Sequence, residues 1–249
     1  MDFLTTTLFN TMPFLFTGLP YIALATFLVG TIYRYRQTGF QVTALSSQFL
    51  ESKSLFWGTV PFHFGILFCF FGHLIAFLLP EGTLLWNAHP VRLIVLEVTG
   101  FGFGLSALFG LSWLIIRRFT NPRVLIVSNV MDFVIELLLL AQIVAGLWIA
   151  VAQRWGSSWF AADLTPYLWS IFKLNPDIRA VIAMPLGIQL HIIGAFIIIA
   201  IFPFTRLVHI LVAPLHYLWR PYQQVIWYWD RKKVRSPETP WSEARPKNN

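Results

Sequence analysis

Five runs of about 20 apolar residues constrain this chain more than any other feature, because a helix needs about that many to cross a hydrocarbon layer of about 30 Å. They lie at roughly 13–33, 57–79, 93–116, 125–151 and 181–203, and the last is expected to continue as helix beyond the bilayer. None shows the period-2 alternation of a barrel strand, so a transmembrane β-barrel is disfavoured. Only 12% of the 249 residues are charged, against about a quarter in soluble proteins. We therefore expect an all-α integral membrane protein of five transmembrane helices. The N-terminus lacks a basic stretch and no small-residue cleavage pattern follows the first run, so that run is expected to be retained as a span.

The net charge of +7 would raise the question of nucleic acid in a soluble protein, but here its distribution matters more. Arg34, Arg36, Lys53, Arg117, Arg118 and Arg123 fall in the first and third connections, and eight more basic residues follow the fifth run. Only Arg92, Arg154, Lys173 and Arg179 occupy the opposite side. The positive-inside rule then puts the N-terminus outside and the C-terminus in the cytoplasm. Residues 1–219 form the expected membrane domain. Residues 220–249, rich in charge, Pro and Trp, read as a basic cytoplasmic tail that anchors at the interface or docks a cytoplasmic partner.

His89 and His216 lie where water can reach them, whereas His63 and His73 fall on the second span and His191 and His209 bracket the fifth. Polar groups without partners in hydrocarbon cost several kcal/mol, which makes intramembrane histidines functional candidates. Spans two and five run antiparallel, so their histidines meet in reverse order: His63 with His209 toward the cytoplasm, His73 with His191 toward the outside. Neutral imidazole is a common metal ligand, and two imidazoles from facing helices suit the two axial positions of one haem iron. Two pairs make two haems. Gly65, Gly72 and Gly194, close to these histidines, are expected to give a porphyrin clearance against the backbone. One difficulty stands. On continuous α-helices the ten residues from His63 to His73 rise about 15 Å, and the eighteen from His191 to His209 about 27 Å, so a tilt or a helix distortion is required.

Among the acidic residues, Asp132 lies near the start of span four, where Ser128 or Asn129 could cap and the helix dipole favours negative charge. Glu136 follows it by one turn. Glu97 lies in span three with Arg92, five residues earlier, as its candidate partner. Cys69, the single cysteine, excludes an intrachain disulfide and reads as small apolar filler.

Four segments carry a resemblance: "YRYRQTGFQVTALSSQFLESK" at 33–53, "FHFGILFCFFGH" at 62–73, "RRFTNPRV" at 117–124, and "LHIIGAFIIIAIFPFTRLVHILVAPLHYL" at 190–218. With them the chain resembles, over nearly its whole length, the gamma subunit (dihaem cytochrome b) of membrane-bound respiratory nitrate reductase. The resemblance implies two bis-histidine b haems, the proximal on His63 and His209 and the distal on His73 and His191. It implies as partners a cytoplasmic iron–sulfur beta subunit and a molybdenum-containing alpha subunit, with quinone as substrate, lipid around the spans, and residence in a bacterial or archaeal cytoplasmic (inner) membrane. The nitrate site would not be on this chain.

In that family a lysine in the loop after span two serves the quinol site beside the distal haem. The corresponding position here is Arg92, near Gly72 in the expected site. Arginine does not give up its proton as lysine can, so proton handling or the direction of electron flow is open to change. The expected function is transfer of electrons from quinol through two haems to the cytoplasmic partners. The alternatives are reverse flow, as in a nitrite oxidoreductase-type complex, a haemless proton channel or transporter using the same histidines, and a purely structural anchor.

Overall fold

The computed structural model describes residues 3–37, 50 and 53–212. The tail at 220–249 lies outside the described residues. Among the described residues, five helices are long and apolar enough to cross a membrane. They are α1 (Phe3–Gln37), α2 (Lys53–Leu78), α4 (Pro90–Thr120), α6 (Val130–Ala152) and α10 (Leu186–Ile201). The short helices between them are α3 (Pro80–Asn87), α5 (Pro122–Ile126), α7 (Gly156–Trp159), α8 (Thr165–Phe172) and α9 (Arg179–Ala183).

Proline and cap chemistry set the boundaries. Pro80, Pro90 and Pro122 stand in the first turns of α3, α4 and α5, where a missing N–H costs nothing. The fourth span begins at Val130 behind a capping box: the Asn129 side chain accepts from Asp132 N, and the Asp132 carboxylate accepts from Asn129 N. The expected capping role of this pair is met, with Asn129 rather than Ser128 as the cap. The fifth span starts at Leu186, behind Pro185, five residues later than expected, because 179–183 forms the separate helix α9.

The spans pack in an order different from the chain: α2 lies along α4, α4 along α6, α6 along α10, and α10 along α1. Between α2 and α4 the backbones touch. A Cβ on Gly65 would lie 2.5 Å from both Ala107 N and Phe103 O, and one on Gly110 would collide with Phe62 N. Ala107, Leu111 and Ile143 form the small core beside this contact, and Phe16, Ile149, Tyr167, Ile188 and Ile192 anchor the larger one between α1, α6, α8 and α10.

The expected continuation of the fifth span as α-helix is overturned. The α-helix ends at Ile201; a 3₁₀ turn (Phe202–Phe204), one extended residue at Thr205 and a second 3₁₀ segment (Arg206–Val212) follow. Pro203 is the cause, since it offers no N–H and its ring crowds the preceding turn. The Thr205 hydroxyl bonds Phe202 O at 2.9 Å and accepts from Leu207 N at 3.2 Å, closing one segment and opening the next.

Candidate functional site

The break answers the spacing difficulty. From His191 to Ile201 the α-helix runs ten residues, as many as separate His63 from His73, or about 15 Å of rise in each case. The remaining eight residues are spent in the kinked segment, which returns His209 to His63. Their ring centroids are 6.2 Å apart with planes at 62°. Imidazole–metal bonds of about 2 Å on either side of one ion, with each nitrogen about 1 Å from its ring centre, require centroids about 6 Å apart. The spacing would suit two imidazole ligands of one metal ion.

The protonation of these rings follows from their neighbours. His63 Nδ1 lies 2.8 Å from Thr59 O and His73 Nδ1 lies 2.7 Å from Cys69 O, each one α-helical turn back. In the tighter 3₁₀ segment His209 Nδ1 reaches Arg206 O, three residues back, at 2.6 Å. A carbonyl can only accept, so Nδ1 donates in all three, and Nε2 is the nitrogen left to face a ligand. Such second-shell bonds orient and strengthen a histidine ligand.

His191 differs. Its Nδ1 is buried without a hydrogen-bond partner among the described residues, while its backbone oxygen accepts from Gln142 Nε2 at 2.7 Å. The ring lies over Gly146 of α6, where a Cβ would sit 3.2 Å from its Cε1. Phe160 meets the His73 ring edge-on at 5.4 Å. Phe160 opens a π-helical turn, Phe160–Leu164, between α7 and α8. Of the four histidines, His63 and His209 meet ring to ring, and among the described residues no group of three or more potential ligands converges.

The glycines near the histidines divide. Only Gly72 faces open space, with nothing within 4 Å of its would-be Cβ, as a clearance position requires. Gly65 is instead taken up by the α4 backbone, and a Cβ at Gly194 would strike Gln142 Oε1. Both serve helix contact.

The candidate quinol residue Arg92 binds into α3: its Nη2 donates to Leu85 O at 3.3 Å, its guanidinium lies 5.4 Å from the Trp86 ring, and Trp86 Nε1 donates to Arg92 O. Glu97 is not its partner. The Glu97 carboxylate accepts from Ser157 N at 2.9 Å and Ser157 Oγ at 2.7 Å, at the start of α7. Near by, Asn87 Nδ2 donates to Ser157 Oγ and Ser158 Oγ. In the loop before α9, the Arg179 guanidinium beside Asp177 holds its carboxyl down at about 2.

Sequence reasoning missed a charge cluster at the His63–His209 end. Arg206 grips Asp132 with Nε at 2.6 Å and Nη2 at 2.8 Å, and also donates to Val127 O. Arg118 bonds Glu136 and Ser128 and stands 3.5 Å from Asp132. From α1, Arg34 donates to Pro203 O at 2.6 Å and Thr205 O at 2.9 Å, satisfying carbonyls that the break released. The available signal was Pro203 followed by Thr205 and Arg206, a stop, a cap and an anchor in succession.

With this geometry in view, comparison with known proteins is informative. A family model described as nitrate reductase gamma subunit matches residues 12–228. The nitrate reductase gamma chain of Bacillus subtilis (strain 168) is 35% identical over 82% of this chain and 93% of its own. The respiratory nitrate reductase 2 gamma chain of Escherichia coli (strain K12) is 33% identical over 83% of this chain and 92% of its own. The nitrate reductase-like protein NarX of Mycobacterium tuberculosis (strain ATCC 25618 / H37Rv) is 35% identical over 83% of this chain, a match covering 32% of that longer protein.

Proposed function

The chain belongs to the nitrate reductase gamma subunit family, a membrane electron-transfer component that works with alpha and beta partners, and we propose that it carries two b haems between the quinone pool and those partners. His63 and His209 would hold the proximal haem, and His73 and His191 the distal one. When bound, each haem supplies one-electron transfer at an iron saturated by two imidazoles, suited to passing electrons rather than binding substrate.

The observation that carries this reading is the His63–His209 pair: rings 6.2 Å apart, with both Nδ1 atoms committed to backbone carbonyls. A proton relay would call for ring nitrogens free to exchange protons. Here the Nδ1 protons of three of the four histidines are tied to peptide oxygens, which suits fixed ligands better.

The basic connections and the positive-inside rule support a cytoplasmic C-terminus, which brings the His63–His209 end toward an iron–sulfur beta subunit and a molybdenum-containing alpha subunit. The opposite end, with His73, Gly72 and Arg92, is where quinol would be oxidised and its protons released outside. Arg92 keeps its charge throughout, so it would orient a quinone oxygen while water or another side chain takes the proton. The alternative reading with the same architecture is electron flow from the partners to quinone.

A reduced-minus-oxidised spectrum with haem counted per chain tests the proposal. His63→Ala and His209→Ala should each remove the same haem, and His73→Ala and His191→Ala the other. Purified chain without haem b would end the reading. Midpoint potentials decide direction: a distal haem clearly more positive than the proximal one favours flow toward quinone.

A further inference from the structure

We propose that Asp132 and Arg206 are positioning residues for His209, forming a clamp that sets the occupancy and the axial geometry of the proximal haem; this rests on the haem reading above. Beyond Thr205 the chain has left its α-helix, and a 3₁₀ segment of seven residues has weak hydrogen-bond geometry with which to hold a ligand. Thr205 Oγ1 accepts from Leu207 N at its start, and the side chain at its first position ties the segment to span four. Arg206 closes a two-point fork on Asp132, whose side chain is only 3% exposed, while Arg206 O accepts a hydrogen bond from His209 Nδ1. The path from Asp132 to His209 therefore runs through one residue's guanidinium and backbone.

Capping α6 does not account for this arrangement. The cap uses Asn129 and one carboxylate oxygen of Asp132, and it would stand without an arginine from 74 residues further along the chain. The fork engages both oxygens and crosses from span four to the segment after span five. Removing the partner of a buried charge is costly, and the Asp132 carboxylate, 3% exposed, has its partner only when Arg206 is in the place from which its carbonyl holds His209. Arg118 joins the cluster, bonding Glu136 at 2.8 Å and standing 3.5 Å from Asp132.

The test uses the full chain purified from membranes, with haem counted per chain, the low-spin EPR signal of each haem resolved, and both midpoint potentials titrated. Asp132→Asn should weaken retention of the proximal haem by about 10–100-fold or shift its EPR signal and potential, with the distal haem unchanged. Asp132→Glu should recover proximal occupancy, and Arg206→Lys, which keeps the charge but loses the fork, should shift the proximal signal alone. Two haems with wild-type signals and potentials in Asp132→Asn would overturn the proposal. If Asp132→Asn loses both haems, Arg206→Lys decides: a change confined to the proximal haem supports the clamp, and a change in both or neither overturns it. Wild-type chain without haem b would bring down the haem reading instead.

Discussion

Substituting Gly65 by alanine should force the two most intimate spans apart. The added methyl would lie 2.5 Å from Ala107 N and from Phe103 O, both backbone atoms of α4 that cannot rotate away. Ordinary carbon contacts begin near 3.5 Å, so α2 and α4 must separate by about 1 Å at this point. Overpacking of this kind costs about 1–3 kcal/mol. Alanine also gains about 1 kcal/mol over glycine within a helix, so the substitution needs a control carrying the same gain. Gly102→Ala supplies it, because nothing lies within 4 Å of that Cβ position. The difference between the two variants then isolates the overpacking. At about 2–4 °C per kcal/mol for a chain of this size, Gly65→Ala should melt about 2–12 °C below Gly102→Ala in detergent, followed by scanning fluorescence. Equal melting of the two variants would refute the close backbone approach.

Three further outcomes follow from particular contacts. Arg34→Gln should lose two charge-assisted bonds, each worth about 1.5–3 kcal/mol, and lower the melting temperature while raising hydrogen exchange across 202–209; unchanged exchange there would show that the carbonyls of Pro203 and Thr205 need no donor. Glu97→Ala should free the start of α7 and raise exchange at Ser157, and a protected Ser157 would show that the carboxylate is not its anchor. In a carboxyl NMR titration Asp177 should show a midpoint of about 2 instead of 3.8. Its folded value is depressed, so the stabilisation of the loop is complete above about 4 and is lost as pH falls through 2; a midpoint near 3.8 would remove the Arg179 pairing.

The five spans, the cap at Asn129 and Asp132, and the approach of His63 to His209 were legible because each depends on local composition or on helix order. What was not legible depends on partners far along the chain. Asp132 meets Arg206 across 74 positions, Gly65 meets Phe103 and Ala107, and Gly194 meets Gln142; no periodicity announces such contacts. Reading Glu97 with Arg92 failed for the same reason, since Ser157 reaches it from a distant turn. The helix break was a different kind of miss. Pro203 stood in plain view, but the apolar run around it reads as uninterrupted when only hydropathy is followed.

The break also bears on biogenesis. An uninterrupted helix would carry its histidine into place as soon as that span folded. Here the segment bearing His209 draws its bonds from Arg34 on the first span and Asp132 on the fourth, so the imidazole reaches His63 only after the first, fourth and fifth spans have inserted and come together. A chain halted before Arg206 would display His63, His73 and His191 without the ring that meets His63.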